Sequence, residues 1–393
     1  MKERLYNYFS ILGEYSLYGL LFFLVISNGM SESFVGFALL GFVGRKLIKP
    51  DFSFLKFLPN LFLLSFLIFN AASLLNSGEF LHISLRALFG KWLQYIIIYI
   101  ITLDSISTPK IFKRSIQVFL SGSLLAMLSG LSQYFFNAEF LRGKNIAVVH
   151  GGISAITSSF NHYNDFGGYL VVVFGMLTAL LLARECFDSK TAVLSGLTVI
   201  TLLSIILTFS RGSWLAMIIA TLFTVLFSKR FKKAMILVCT LILTFLFVPV
   251  VRDRLFFIFQ SGGDSNRFLI WSAIIQMIED HPFLGMGVGT FMANFCSYLP
   301  DLSPYYAHNC YLQIWAETGI FSLLSFIAFM VSVVYLASKK VIFTQDFILL
   351  GLLSGIIGFL AHSFFDTNLY SLRLVILFWI WNAFIVVKIR EKI

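Results

Sequence analysis

The chain has 393 residues, of which 59% are hydrophobic, 17% aromatic and 12% charged, and its formal net charge is +10. Globular chains carry about 25% charge, so a soluble protein is excluded; apolar runs of about 20 residues recur along the whole length, which excludes a soluble domain on one anchor. These runs do not alternate apolar with polar residues, which excludes an outer-membrane barrel.

The sequence reads as all-α, a polytopic membrane protein with about twelve transmembrane helices. In chain order they are expected at 11–28, 33–48, 57–76, 84–103, 113–135, 163–183, 191–209, 212–228, 234–250, 309–337, 346–365 and 369–387. Met1-Lys-Glu-Arg4 leads into the first of them with no small-residue cleavage site, so that span is read as retained. The second is short and glycine-rich, and a re-entrant hairpin is its alternative. Residues 1–250 then carry the first nine spans, 251–308 an outward-facing loop of short amphipathic helices, and 309–393 the last three spans.

Charge placement orients this arrangement. With the N-terminus inside and the helices alternating, the inner segments collect Lys2, Arg4, Arg45, Lys46, Lys49, Lys56, Lys110, Lys113, Arg114, Arg184, Lys190, Lys229, Arg230, Lys232, Lys233, Lys339, Lys340, Lys388, Arg390 and Lys392. That is the bias of the positive-inside rule. It puts both termini in the cytoplasm, accounts for most of the positive charge and makes nucleic acid unnecessary as a partner.

The basic residues left outside are Arg86, Lys91, Arg142, Lys144, Arg211, Arg252, Arg254, Arg267 and Arg373. Lysine predominates inside and arginine outside. Topology is indifferent to that choice, whereas a planar guanidinium grips phosphate or carboxylate bidentately. Pairing with Asp253, Asp264, Asp301 or lipid head groups is the plainer role, and Arg142, Arg252 and Arg254 are assigned to it. Arg211 sits in Phe209-Ser-Arg-Gly212 between two spans with almost no loop, at the membrane edge, where ionisable groups are costly and tend to be functional.

Within the loop, 266–280 reads as an amphipathic helix ended by His281-Pro282. Arg267 and Trp271 share one face, which is expected to dip its tryptophan among lipid head groups. Gly285-Met-Gly-Val-Gly289 lacks the preceding strand of a dinucleotide site and reads as a tight turn with close backbone approach. His308 stands at the mouth of the next span, and Glu317 lies deeper in that span, read as a buried paired carboxylate. His362, Asp366 and Arg373 fall in one outer hairpin, where an ion pair is expected. Cys186, Cys239, Cys296 and Cys310 show no metal spacing and are expected as free thiols, Cys296 and Cys310 being the pair that a disulfide could join. His150, His162 and His281 have no ligand partner at metal spacing, and no Asp-x-Asp motif is present; no metal and no cofactor are expected.

Four stretches resemble the bacterial O-antigen ligase and polymerase family: Leu207-Thr-Phe-Ser-Arg-Gly212, Arg267-Phe-Leu-Ile-Trp271, the run from His281 to Phe291, and His308-Asn-Cys-Tyr-Leu-Gln-Ile-Trp-Ala-Glu-Thr-Gly319. Ser159-Phe-Asn-His-Tyr-Asn164 is a looser match, and the resemblance covers about residues 160–370. It implies a metal-independent, inverting transfer of a glycan from undecaprenyl pyrophosphate to an acceptor sugar hydroxyl at the outer face of the bacterial inner membrane. A glycan or lipid A-core would be the acceptor, and membrane lipids the surroundings. It further implies that Arg211 and Arg267 hold the pyrophosphate and that His308 is the catalytic base, with Arg86, Glu317, Asp366 and Arg373 in support. A polymerase using the same donor is the alternative. A transporter of an anionic or lipid-linked substrate would use the same outer arginines, but would show internal repeats and helices broken near mid-bilayer; the sequence has no such repeat.

Overall fold

The computed structural model describes residues 1–149, 153–230, 232–233, 235–236, 238–239, 252, 265–300 and 306–391. Most of the expected span 234–250, together with His150, Asp253, Arg254, Asp264 and Asp301, lies outside the described residues. Among the described residues the chain is helical almost throughout: α1 (Lys2–Phe23), α2 (Asn28–Ile48), α3 (Pro59–Ala72), α4 (Leu81–Ala87), α5 (Leu93–Ser105), α6 (Pro109–Phe136), α7 (Tyr163–Leu182), α8 (Ser189–Leu207), α9 (Arg211–Phe227), α10 (Ser265–Asp280), α11 (Phe291–Tyr298), α12 (Cys310–Thr344), α13 (Phe347–His362) and α14 (Leu372–Arg390). One short antiparallel pair, β1 (Ala147–Val149) and β2 (Ile153–Ala155), precedes α7.

Local chemistry sets the helix ends. Thr108, Asp188, Ser210, Asn309 and Asp346 each accept an amide N–H of the following first turn, which satisfies donors that a helix start leaves open. Pro59 and Pro109 open α3 and α6, where a missing N–H costs nothing.

By length and apolarity, 59–76, 78–105, 109–136, 163–182, 189–207, 310–344 and 372–390 qualify to cross a membrane. Among the described residues these are seven, so the expected count of about twelve is not confirmed. Arg211–Phe227 and Phe347–His362 are apolar but shorter, and at 1.5 Å per residue helices of that length reach about 25 Å, under the ~30 Å of a hydrocarbon core. The protein is a multi-pass membrane protein. Its exterior carries exposed apolar side chains such as Leu58, Leu222, Leu226 and Val331, while α7 and α14 are buried nearly all round. Helix α13 packs against α7 and α9, α12 against α3, and α14 against α5. A Cβ on Gly175 of α7 would lie 2.6 Å from the amide nitrogen of Gly355 in α13, the backbone proximity that small residues permit between membrane helices.

Outside this bundle, α10 and α11 fold over the start of α12 around a second, smaller apolar cluster that includes Ile270, Ile274, Met277, Phe291 and Phe295. That cluster corrects one expectation. Trp271 turns inward and its Nε1 donates to the carbonyl of Ala307 at 3.0 Å, while Phe268, Leu269 and Ile275 are the exposed apolar residues of α10. A half-buried indole packed against the cluster gains both apolar contact and a hydrogen-bond acceptor.

Candidate active site

The site is assembled on a break in α12. Gly319 has φ 79° and ψ 172° inside what is otherwise continuous helix, a conformation open essentially to glycine alone. The break exposes backbone groups that the 282–289 turn satisfies. Met286 N donates to Ala316 O (2.9 Å), Gly287 N to Glu317 O (2.9 Å), and Ile320 N to Pro282 O (3.0 Å). The turn itself runs through positive φ at Gly285, Gly287 and Gly289, and Cβ atoms there would collide with Glu317, Ser77 and Ala87. Close backbone approach is therefore what these glycines provide. The far side of the turn is held by Asn76 Nδ2 on Gly285 O (2.9 Å) and by Val288 N on Ser73 Oγ (3.0 Å).

Glu317 is the buried partner of this turn. Its carboxylate accepts from Gly289 N (2.9 Å), Gln313 Nε2 (3.1 Å) and Tyr370 Oη (3.1 Å). The paired carboxylate expected from the sequence is thus satisfied by neutral donors. Burial, then the Glu317 charge, raises the Tyr370 phenol well above its ordinary value, so it remains a donor. Carboxylate, glycine turn and the 368–370 segment are thereby tied together below the mouth of α12.

At that mouth His308 has φ 50°, a left-handed conformation in which histidine is enriched but still uncommon. Asn309 follows and caps α12 through Tyr311 N and Leu312 N. The cap directs the His308 side chain toward the 363–370 segment, where Nδ1 stands 3.5 Å from Asp366 Oδ1. That is ion-pair range with no closed hydrogen bond, and the Nδ1 atom is buried. Cys310 fixes the opposing segment: its N–H donates to Ser363 O at 2.9 Å, its Sγ to Asp366 O at 3.4 Å, and Leu369 N donates to Sγ at 3.4 Å. Cys310 is therefore a buried free thiol, and Cys296 an exposed one.

Asp366 corrects another expectation. Its partner is His308, and no ion pair joins it to Arg373 among the described residues. Arg373 is buried, with its guanidinium donating to Asn28 Oδ1 (2.7 Å), the carbonyls of Val25 and Ile26 (both 3.3 Å) and Ser159 O and Oγ (3.1 and 3.0 Å). The turn between α1 and α2 leaves carbonyls without helical partners, and an arginine fork meets several of them at once.

The remaining expected residues divide. Arg267 Nη1 donates to Phe365 O at 3.2 Å, which brings α10 to the residue beside Asp366. Arg211 opens α9, and a Cβ on the adjacent Gly212 would meet Phe365 Cβ at 3.1 Å and His362 Cδ2 at 3.4 Å. Arg267 thus bonds Phe365, and the start of α9, which Arg211 opens, packs on the same residue through Gly212. Arg86 is exposed on α4, next to the Ala87 that faces Gly289, and so lies beside the glycine turn.

Two histidines join the site without having been expected there. His362 is fully buried between Asn368 Oδ1 (2.9 Å, at Nδ1) and Ser213 Oγ (3.0 Å, at Nε2), which links the start of α9 to the 363–369 segment. His162 caps α7, and the charged groups that act on it are Asp366, His308, Arg267 and His362. The short Ser159–Asn164 stretch was the signal for His162. His362 was legible only as part of the hairpin with Asp366; its partners Ser213 and Asn368 were not.

The fold and this cluster define a class: a helical membrane protein in which the segment between α9 and α12, a broken helix and the 363–370 hairpin bring an imidazole–carboxylate pair, the Arg267 anchor and the start of α9 together. A family model described as O-antigen ligase (Wzy_C) matches residues 196–327 and supports assigning the chain to the O-antigen ligase family. The family points to a membrane enzyme of the ligase or polymerase type, acting in general terms on a lipid-linked glycan and a polysaccharide acceptor. No curated protein matches the chain.

Proposed function

We propose that the chain transfers a glycan from undecaprenyl pyrophosphate to a sugar hydroxyl at the outer face of the inner membrane, with residues 251–308 outside and both termini in the cytoplasm. The observation that carries this reading is the pairing of His308 Nδ1 with Asp366 Oδ1 at 3.5 Å, at the mouth of a membrane helix and beside the Arg267 anchor on Phe365.

The chemistry follows from the side of the ring that Asp366 faces. A proton on Nδ1 is held toward the carboxylate, which leaves Nε2 as the basic atom. The acceptor hydroxyl gives its proton to Nε2 as its oxygen bonds to the anomeric carbon. On the opposite face the bond from that carbon to the phosphate oxygen breaks, and the configuration inverts. Asp366 stabilises the imidazolium that forms, as a carboxylate behind a histidine does elsewhere. Arg211 and Arg267 neutralise the charge that develops on the departing diphosphate. A ligase and a polymerase share every one of these steps and differ in the acceptor alone.

The test is His308→Ala, purified in detergent, with donor binding and glycan transfer measured separately. Loss of a general base costs about 10² to 10⁴ in rate, so transfer should fall by that much while donor affinity stays near wild type. Transfer at the wild-type rate removes His308 from the mechanism; a folded variant that no longer binds donor makes it a ligand-holding residue.

A further inference from the structure

His162 has a ring whose two nitrogens are differently occupied. Nδ1 accepts the amide N–H of Asn164 at 3.2 Å, the capping bond of α7. An acceptor nitrogen carries no proton, so in the neutral ring the proton resides on Nε2. The ring is held in place by Tyr163, whose centroid lies 4.1 Å away. The residue is exposed, and Nε2 has no hydrogen-bond partner among the described residues.

The first turns of α7 are themselves pinned to the site. Asp165 accepts from Ser371 Oγ at 3.1 Å. A Cβ on Gly167 would meet Ser213 Oγ, and one on Gly168 would lie 3.1 Å from His362 Nδ1. Six residues, about 9 Å of helix, separate the ring of His162 from the Gly168 that abuts His362, and the charged and titratable groups that reach it are Arg267, His308, Asp366 and His362. Partial desolvation by neighbouring protein atoms lowers its pKa first; Asp366 opposes that shift, and His308, Arg267 and His362 add to it. A neutral ring with its proton on Nε2 is the form that results.

We propose that His162 is a binding residue which donates Nε2–H to an oxygen of a diphosphate-linked lipid held beside Arg267. The inference rests on the donor class proposed above and adds a neutral donor to the two guanidiniums. Its geometry is specific because the capping bond selects the tautomer, so the fold decides which ring nitrogen can donate.

Two substitutions separate the roles of the ring. His162→Asn retains a good capping side chain and removes the outward donor. His162→Gln places an amide nitrogen near the former Nε2 and weakens the cap. The readout is binding of farnesyl diphosphate to the purified full chain in detergent by titration calorimetry, with melting temperature recorded for each variant. The Asn variant should keep the wild-type melting temperature and bind about tenfold more weakly, the worth of one hydrogen bond to a charged group. The Gln variant should recover much of that affinity at a lower melting temperature. An Asn variant that binds like wild type overturns the inference, as does one whose binding and melting temperature fall together, since the loss would then be structural. If the wild-type chain itself does not bind farnesyl diphosphate, the donor class fails first and the role of His162 goes with it.

Discussion

Asp366 is a buried carboxylate whose charge is held by its neighbours. Burial pushes its pKa up, but the His308 side chain, the charge of His362 and the N–H of Thr367 outweigh that and hold it below its ordinary 3.8. A carboxyl depressed in the folded state contributes stability that is fully present above its unfolded value and is lost as pH falls below it. Asp366→Asn should therefore be less stable than wild type at neutral pH, and its melting temperature should decline less steeply from about pH 5 to about pH 3. Parallel melting curves for the two proteins across that window would show that the pairing adds nothing to the fold. Arg373, at the same scale, is explained by the carbonyls it collects from Val25, Ile26 and Ser159.

Among the elements, the break in α12 has the largest structural consequence. Two carbonyls and one amide leave the helix ladder at Gly319 and are all met by the 282–289 turn. Buried backbone groups without partners are costly in any low-dielectric setting, so turn and break require one another. Gly319→Ala would force a side chain into a glycine-only conformation, with its Cβ 2.0 Å from Phe283 O. The conformation alone costs about 1–3 kcal/mol. Thermal unfolding in detergent should show at least that loss, accompanied by loss of transfer as the turn detaches. Gly196→Ala is the control: no atom lies within 4 Å of that Cβ, and the change should be neutral or slightly stabilising, as alanine is in a helix. Similar losses in both variants would mean that the break is not what the glycine secures.

For the whole molecule, sidedness is the property to measure. Cys296 lies on α11 and Cys186 between α7 and α8, and both are exposed. With the other cysteines replaced, Cys296 should react with an impermeant maleimide in intact spheroplasts, and Cys186 only after lysis. The motive is the lysine-rich composition of the segments at 229–233 and 339–340 that flank the insert. Labelling of Cys186 in intact cells together with protection of Cys296 would invert the topology and remove the outer-face assignment of the site.

Hydropathy is a sum along a stretch of chain, so the helical character and the position of each described membrane helix were legible without any coordinates. The same holds for α10, seen through its apolar period, and for the glycine turn, seen through the absence of a strand before it. His308, Arg211 and Arg267 stood out because their neighbours are apolar and their motifs local. What the tertiary structure decided is pairing. Asp366 meets His308 instead of Arg373, Trp271 turns inward to Ala307, and Glu317 finds Gly289 and Tyr370. Each of these depends on which of several equally polar groups lies within about 3 Å. That distance is set by how helices distant in sequence pack, and no periodicity within any one of them encodes it.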